Sequence, residues 1–309
     1  MILITGGGGF IGLNTAKYLI DQGEGVVLLK RRPFQIPPFL TRYEGNQVKV
    51  VVGDMLELPF LYGLIKEYKI ESIIHLASMH EPELLYRVLK VNLEGTTEIL
   101  ETARVFGLRR VTFCSSEAVY LPADNSELFG EEMAVKFSSP DYISATKKAG
   151  EHICHLYVKQ YAMSVPIVRP PRVWGPLYHS GIQPIQLMVE NSIAGKPSDF
   201  SGLDGDKLGN FVYIKDCARA IGMIHLAPKL SNNVYNVSDL LRHSFSEFKQ
   251  AIMEVIPEAN ISLGGPAENS TDDPPMNIDR IREDLGFTPE YDLKKGIKDY
   301  IGWLKEGNY

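Results

Sequence analysis

Cysteine is scarce: the 309 residues hold three, Cys114, Cys154 and Cys217, each inside an apolar stretch and none in a CxxC pair. That excludes a disulfide framework and fits buried thiols in a reducing compartment. Long apolar runs are missing as well, since none approaches the roughly 18 residues of a membrane span. No charged segment followed by an apolar stretch precedes the strand-like run at Ile2, so a cytoplasmic chain with no membrane partner is expected. Positive charge is not in excess either. A net charge of −6 and a pI near 5.7 give no electrostatic footprint for nucleic acid, so no nucleic-acid partner is expected. One basic run, Lys30-Arg31-Arg32, stands against that acidic background. There is no internal repeat and no low-complexity tract. What remains, 44% hydrophobic and 23% charged residues, is globular composition at a length that supports one large or two modest domains.

The first half alternates β-branched runs with longer amphipathic stretches. Strands are expected at Ile2–Thr5, Val26–Lys30, Val48–Val52, Ser72–Ala77, Arg110–Ser115 and Val165–Arg169. Helices are expected at Leu13–Asp21, Glu83–Phe106 and Ser144–Tyr161. Nearly continuous apolar strands separated by helical periods predict a parallel sheet covered on both faces, an α/β fold of the doubly wound, Rossmann type. From Pro170 onward proline and glycine cluster in loops, with a strand at Phe211–Ile214, a helix at Asp216–Leu226 and a strand at Val234–Val237.

"ITGGGGFIG" sets Gly6, Gly9 and Gly12 as GxxGxxG after a strand and at a helix start, with Phe10 and Ile11 inside the motif. Glycine permits the tight turn and lets the backbone approach a pyrophosphate seated on the helix N-terminus. An acidic residue about 20 positions on would take a ribose 2′-hydroxyl. Lys30, Arg31 and Arg32 stand there instead and suit a 2′-phosphate, so NADP is favoured over NAD. A solvated basic turn is the alternative. "VVGDM" brings Asp54, beside Met55, to the end of the third strand, within reach of an adenine amino group.

With "HLAS" (Leu76, Ala77, Ser78), "NLEGT" after Asn92, "SSEAVY", "ATKKAGE", "VRPPRVWGP" and "FVYIKD", the chain resembles the extended short-chain dehydrogenase/reductase family, largely sugar-nucleotide epimerases and dehydratases, essentially end to end. The resemblance implies a dinucleotide-binding domain over 1–171, with 208–232 returning to it, and a smaller C-terminal substrate-binding domain from 172–207 and 233–309. It implies cofactor contacts from Ser115 and Pro170, a serine at 116 holding the substrate oxygen, and Lys147 on the nicotinamide ribose. It also implies pairing of the long helix across a two-fold, hence a homodimer. Glu117 falls where the dehydratase branch carries its proton-donating carboxylate, but the second carboxylate of that branch is Ala118 here.

The tyrosine of that family stands four residues before its lysine; here Tyr142 and Lys147 are five apart. At about 100° per residue, a five-residue spacing leaves the two side chains about 140° apart rather than about 40°. A π-bulge would restore a common face. A late helix start at an Asp141 N-cap would bring Tyr142 in from a non-helical position. Alternatively Tyr142 is a surface residue and Ile143 fills the place. Gly209 and Asn210 stand in place of the arginine, which family members use on a diphosphate, and the aspartate after it, and Asp272 and Asp273 oppose a diphosphate nearby; Arg172 and Lys207 are the candidate cations. The expected function is NAD(P)-dependent hydride transfer on a sugar or small hydroxy or keto compound, nucleotide sugars included. The proton and oxygen work falls to Ser116, Tyr142, Lys147 and Glu117. The alternative is a catalytically impaired dinucleotide-binding protein. His152 and His155 flank Cys154 without further ligands at metal spacing, so no metal is expected.

Overall fold

The structure is a computed structural model describing residues 1–80, 84–123, 128–178, 183–266 and 271–306. Its centre is a seven-stranded parallel sheet. The strands are β1 (Ile2–Thr5), β2 (Val26–Lys30), β3 (Val48–Val52), β4 (Ser72–His75), β5 (Val111–Cys114), β6 (Ile167–Arg169) and β10 (Val234–Asn236). Their order is β10-β6-β5-β4-β1-β2-β3. Alternation sorts their side chains to two cores. Leu3, Val27, Ile73, Val111 and Phe113 pack with α3 (Leu58–Tyr68), α5 (Gly95–Phe106) and α6 (Tyr142–Tyr161). Ile4, Leu28, Ile74 and Val168 pack with α1 (Phe10–Asp21) and α8 (Ile214–Leu226). Both faces are covered, so the strands carry no polar alternation.

The chain runs from β1 outward to β2 and β3, then crosses to β4 on the other side of β1. That reversal opens a crevice at the carboxyl ends of β1 and β4, where a ligand fits in sheets of this kind. The remaining elements build a cap beyond it. There β7 (Arg172–Trp174) pairs with β9 (Phe211–Tyr213), and β8 (Ser198–Asp204) pairs with β11 (Ile261–Gly264). Helices α7 (Pro184–Ile193), α9 (Phe245–Val255) and α11 (Leu293–Lys305) pack together there, while α10 (Asp279–Leu285) packs on β10 and α8, and α2 (Pro38–Thr41) follows β2.

Two elements differ from expectation. The seventh strand, β10, comes after residue 232, so the return of the chain to the sheet extends past that boundary. The helix expected over 83–106 is broken into α4 (Leu85–Leu89), a π-helical turn at Lys90–Glu94 and α5, with residue 83 outside the described residues. Asn92, at the centre of the π turn, is buried and uses its whole carboxamide: it accepts from Met79 N at 2.8 Å and donates to Met79 O at 3.2 Å and Thr146 Oγ1 at 3.3 Å. Among the described residues no helix is long and apolar enough to cross a membrane.

Candidate active site

The glycine turn between β1 and α1 is a close fit. Gly6 has φ +67°, and a Cβ there would stand 3.0 Å from Ala77 N. A Cβ on Gly12 would lie 2.5 Å from Gly6 O and 2.8 Å from Gly7 Cα. Gly9 caps α1 in extended conformation and supplies no side-chain acceptor, so the first-turn amides of α1 are left to an external anion. Phe10 and Ile11 follow and reach the neighbouring cavity. At the end of β2, the Lys30 ammonium donates to Gly8 O at 2.9 Å and lies 5.0 Å above the Phe34 ring. Partial burial lowers its pKa, and Arg31 and Arg32 are exposed. Asp54 accepts from Leu56 N at 3.0 Å, and Met55 is buried against Gly95.

Below the crevice His75 is locked into one neutral form. Thr96 Oγ1 donates to Asn92 O at 2.6 Å, so it must accept from His75 Nε2–H at 3.1 Å. His75 Nδ1 then accepts from Thr5 Oγ1 at 2.7 Å, and that oxygen accepts from Ala77 N at 3.2 Å. Burial and the nearby Lys147 charge depress the imidazole pKa to about 3. His75 is floor, fixing the Leu76–Ala77–Ser78 backbone, rather than a base.

The residues expected from the sequence to carry the chemistry collect at the end of β5. Ser115 is buried, and Ser116 caps the 3₁₀ turn Glu117–Tyr120, its Oγ accepting from Ala118 N at 3.2 Å and keeping its proton to donate. Lys147, from α6, is buried and donates to Cys114 O at 2.7 Å; desolvation lowers its pKa. Tyr142 stands at the other end of the question. The segment 142–161 is α-helical throughout, so the π-bulge expectation is not met. Asp141 is indeed the N-cap, accepting from Ser144 N at 2.8 Å, but Tyr142 is already the first helical residue. The half-buried Tyr142 therefore remains about 140° round the helix from Lys147.

Glu117 meets the cap. Its N–H bonds Pro170 O at 2.9 Å, and its carboxyl accepts from Asn210 Nδ2 at 3.3 Å and lies 3.9 Å from Arg172 Nη1. Arg172 in turn pairs with Asp273 at 2.6 Å, which Lys207 also approaches at 3.1 Å. Burial pushes the Glu117 carboxyl up to about 7, against the pull of Arg172 and with a further push from Asp273. The expected repulsion by Asp273 is thus answered within the protein by two cations. A cavity of about 360 Å³ adjoins this cluster, walled by Phe10, Ile11, Tyr178, Phe211 and Phe245, with Arg172 among its polar lining. Asn210 as a partner of Glu117, and Tyr178 and Phe245 as walls, escaped the sequence reading. Each is brought in by contacts distant in sequence, and no local pattern marks them.

The chain matches the NAD dependent epimerase/dehydratase family over residues 2–238. It belongs to that family. A putative UDP-glucose 4-epimerase of Methanocaldococcus jannaschii is 27% identical, with 100% of this chain and 99% of the relative aligned. A UDP-glucose 4-epimerase of Mycolicibacterium smegmatis is 28% identical, covering 98% of each. Among solved structures, an epimerase from Methanothermobacter thermautotrophicus superposes with a TM-score of 0.86 at 23% identity, over 99% of this chain and 92% of that one. The dTDP-glucose 4,6-dehydratase of Bacillus anthracis, solved with NAD, gives 0.83 at 21%, over 99% and 96%. This epimerase/dehydratase-family chain is an enzyme acting by hydride transfer with a nicotinamide dinucleotide. Its residues fit that group: the glycine turn has no room for a side chain, and the buried hydroxyls of Ser78 and Ser115 have no hydrogen-bond partner within the protein. Among the described residues the register of Tyr142 is the one feature on the side of an impaired binder, and the comparisons with known proteins add nothing to it. No group of three His, Cys, Asp or Glu suited to a metal occurs among the described residues; His152 and His155 are exposed while Cys154 is buried.

Proposed function

We propose that the enzyme is a sugar epimerase that oxidises a secondary hydroxyl of a nucleotide-linked sugar and reduces the same carbon from the other side. The observation that carries this reading is the convergence of Ser116, Glu117 and Lys147 at the end of β5, with Glu117 reaching through Arg172 to the wall of the cavity. A nicotinamide dinucleotide held at this crevice would supply the hydride acceptor and its return. Lys147 holds positive charge beside it, Ser78 and Ser115 offer their unpartnered hydroxyls to it, and Asn92, Leu76, Ala77 and Pro170 line its path. Ser116 donates a hydrogen bond to the substrate oxygen. Glu117, adjacent in sequence and poised near neutrality, exchanges the proton, with Tyr142 as the second candidate from the start of α6. A single carboxylate, with Ala118 following it, favours return of the hydride over loss of water.

NADP is the preferred dinucleotide in this reading, because no carboxylate ends β2 to accept a 2′-hydroxyl and Lys30, Arg31 and Arg32 stand there. NADPH should bind more tightly than NADH, and Lys30→Asp with Arg31→Ala should reverse the order; equal affinities in the parent would defeat this. The substrate segments are the cap elements around 172–207 and beyond β10. A second copy of the chain is the partner proposed for the exposed apolar side chains of α4, α5 and α6, among them Leu85, Tyr86, Val105, Leu156 and Tyr161. The three buried free thiols suit the cytoplasm. The deciding experiment incubates the enzyme with UDP-glucose, UDP-glucuronate and dTDP-glucose and follows the sugar by NMR. Inversion at one ring carbon supports the reading, and a dehydrated keto product overturns it.

A further inference from the structure

We propose that Arg172, with Glu117 beside it, binds one negative charge on the substrate close to the reacting carbon, so that the sugar handled carries a carboxylate. This deepens the nucleotide-sugar reading above and rests on it. The position of Arg172 depends on the absence of a side chain at 209: a Cβ there would stand 2.6 Å from Arg172 Nη1 and 3.2 Å from Asp273 Oδ2. Gly209 therefore leaves the space into which the guanidinium of β7 projects. Arg172 Nη1 is the atom that bonds Asp273 and approaches Glu117, which leaves the other edge of the planar fork for a bidentate partner. The rest of the cavity it lines is apolar or aromatic apart from the neutral Gln183, so a charged substituent has the Arg172 end to occupy.

The charge balance sets how much negative charge the cluster accepts. Arg172 and Lys207 share the single carboxylate of Asp273. With Glu117 protonated, one positive charge is uncompensated; with Glu117 ionised, none is. Arg242 and Asp272, 3.8 Å apart, offset each other outside this group. His243, bridged to Gly209 through the backbone, is held between Asp239 and Glu247. One carboxylate matches the surplus, and a diphosphate with two charges exceeds it. Glu117 directly follows Ser116, about 3.8 Å away from Cα to Cα, so the charge sits at the sugar and not at the distant nucleotide. Its raised pKa couples binding to proton uptake, and the fraction of complexes in which Glu117 is ionised is the fraction that takes the hydroxyl proton.

Isothermal titration of the enzyme with its dinucleotide bound tests this, with UDP-glucuronate, UDP-glucose and UDP as probes at pH 6.5 and 8.5. UDP-glucuronate should bind at least about tenfold tighter than UDP-glucose at pH 6.5. That advantage should shrink at pH 8.5, and buffer-dependent heats should show proton uptake with the uronate alone. Arg172→Gln, with dinucleotide binding intact, should bring the two sugars level. Glu117→Gln should keep the preference and remove its pH dependence. Equal affinities for the two sugars overturn the proposal. So does an Arg172→Gln variant that weakens all three probes alike, which places the guanidinium on the diphosphate. A pH dependence that survives Glu117→Gln assigns it to His243 and overturns the coupling. Turnover of UDP-glucose without binding of UDP-glucuronate removes this proposal and leaves the epimerase reading standing.

Discussion

Replacing Glu117 by glutamine isolates the cost of holding a carboxyl at the site. Below pH 4.5 that carboxyl is protonated in folded and unfolded chains alike and costs nothing. Between 4.5 and about 7 the unfolded chain releases its proton while the native protein keeps it, so stability falls as pH rises through this window. Above about 7 the full difference remains, at about 1.4 kcal/mol per pH unit or about 3 kcal/mol in all. The Glu117 side chain is only 13% exposed, so solvent screening takes little of this. Glutamine keeps the shape and does not titrate. Denaturant unfolding of both proteins at pH 5.5 and 8.5 cancels every other carboxylate in the difference. The Glu117→Gln variant should gain about 2 kcal/mol on the parent between those two pH values. It should also lose most of its kcat/KM, along with the limb of the pH–rate profile near 7. A stability difference flat with pH to within about 0.5 kcal/mol would refute the reasoning, because the carboxyl would then be as well solvated in the native protein as outside it.

Three further changes have defined outcomes. Gly12→Ala forces a methyl against the Gly6 carbonyl and should abolish dinucleotide binding, read by protein fluorescence quenching, at a stability cost of about 1–3 kcal/mol. Asn92→Ala leaves the buried Met79 N–H and C=O without partners and should cost about 2–4 kcal/mol in urea unfolding; a loss under about 0.5 kcal/mol would show that water replaces the amide. Leu156→Glu places a charge on an exposed apolar position of α6 and should convert a dimer to monomer by light scattering, with the melting temperature of the monomer unchanged; an unaltered mass would remove the proposed pairing surface.

The parallel sheet was legible because its strands are short, β-branched and continuous: β1, β2 and β3 fall on the expected residues, and β4 and β5 differ only at their ends. The glycine turn was legible because Gly6 and Gly12 answer to steric demands that no other residue meets. The π turn at Lys90–Glu94 was not, since Asn92 at its centre bonds Met79 and Thr146, partners distant in sequence that no local pattern marks. The pairing of Arg172 with Asp273 was equally hidden. Separated by about a hundred residues, the two were read as an attracting and a repelling group for a ligand rather than as partners of each other.

The one-residue excess between Tyr142 and Lys147 is best understood from the other end of α6. The rotational setting of that helix is fixed by contacts along its lysine-bearing stretch: Thr146 with Asn92, Lys147 with Cys114 O, Lys148 with Leu121 O, and Glu151 bidentate to the buried Arg169 at 2.6 and 2.8 Å. Gly150 lies so close to Phe113 that a Cβ would stand 2.7 Å from the ring, which forbids rotation past it. An added residue upstream therefore cannot move the lysine and moves the tyrosine instead. Asp141 caps the helix immediately before Tyr142, so the longer spacing leaves the helix start fully capped. Chemistry is where the consequence falls. Ile143, not a phenol, stands four residues before Lys147. The carboxyl next to Ser116 in sequence, Glu117, has its pKa raised to about 7, and its turn is bonded to Pro170 just after β6. In the reading proposed above, a shifted tyrosine and a glutamate raised toward neutrality are two sides of one rearrangement, with Glu117 of the β5 turn as the first candidate for proton transfer and Tyr142 of α6 as the second.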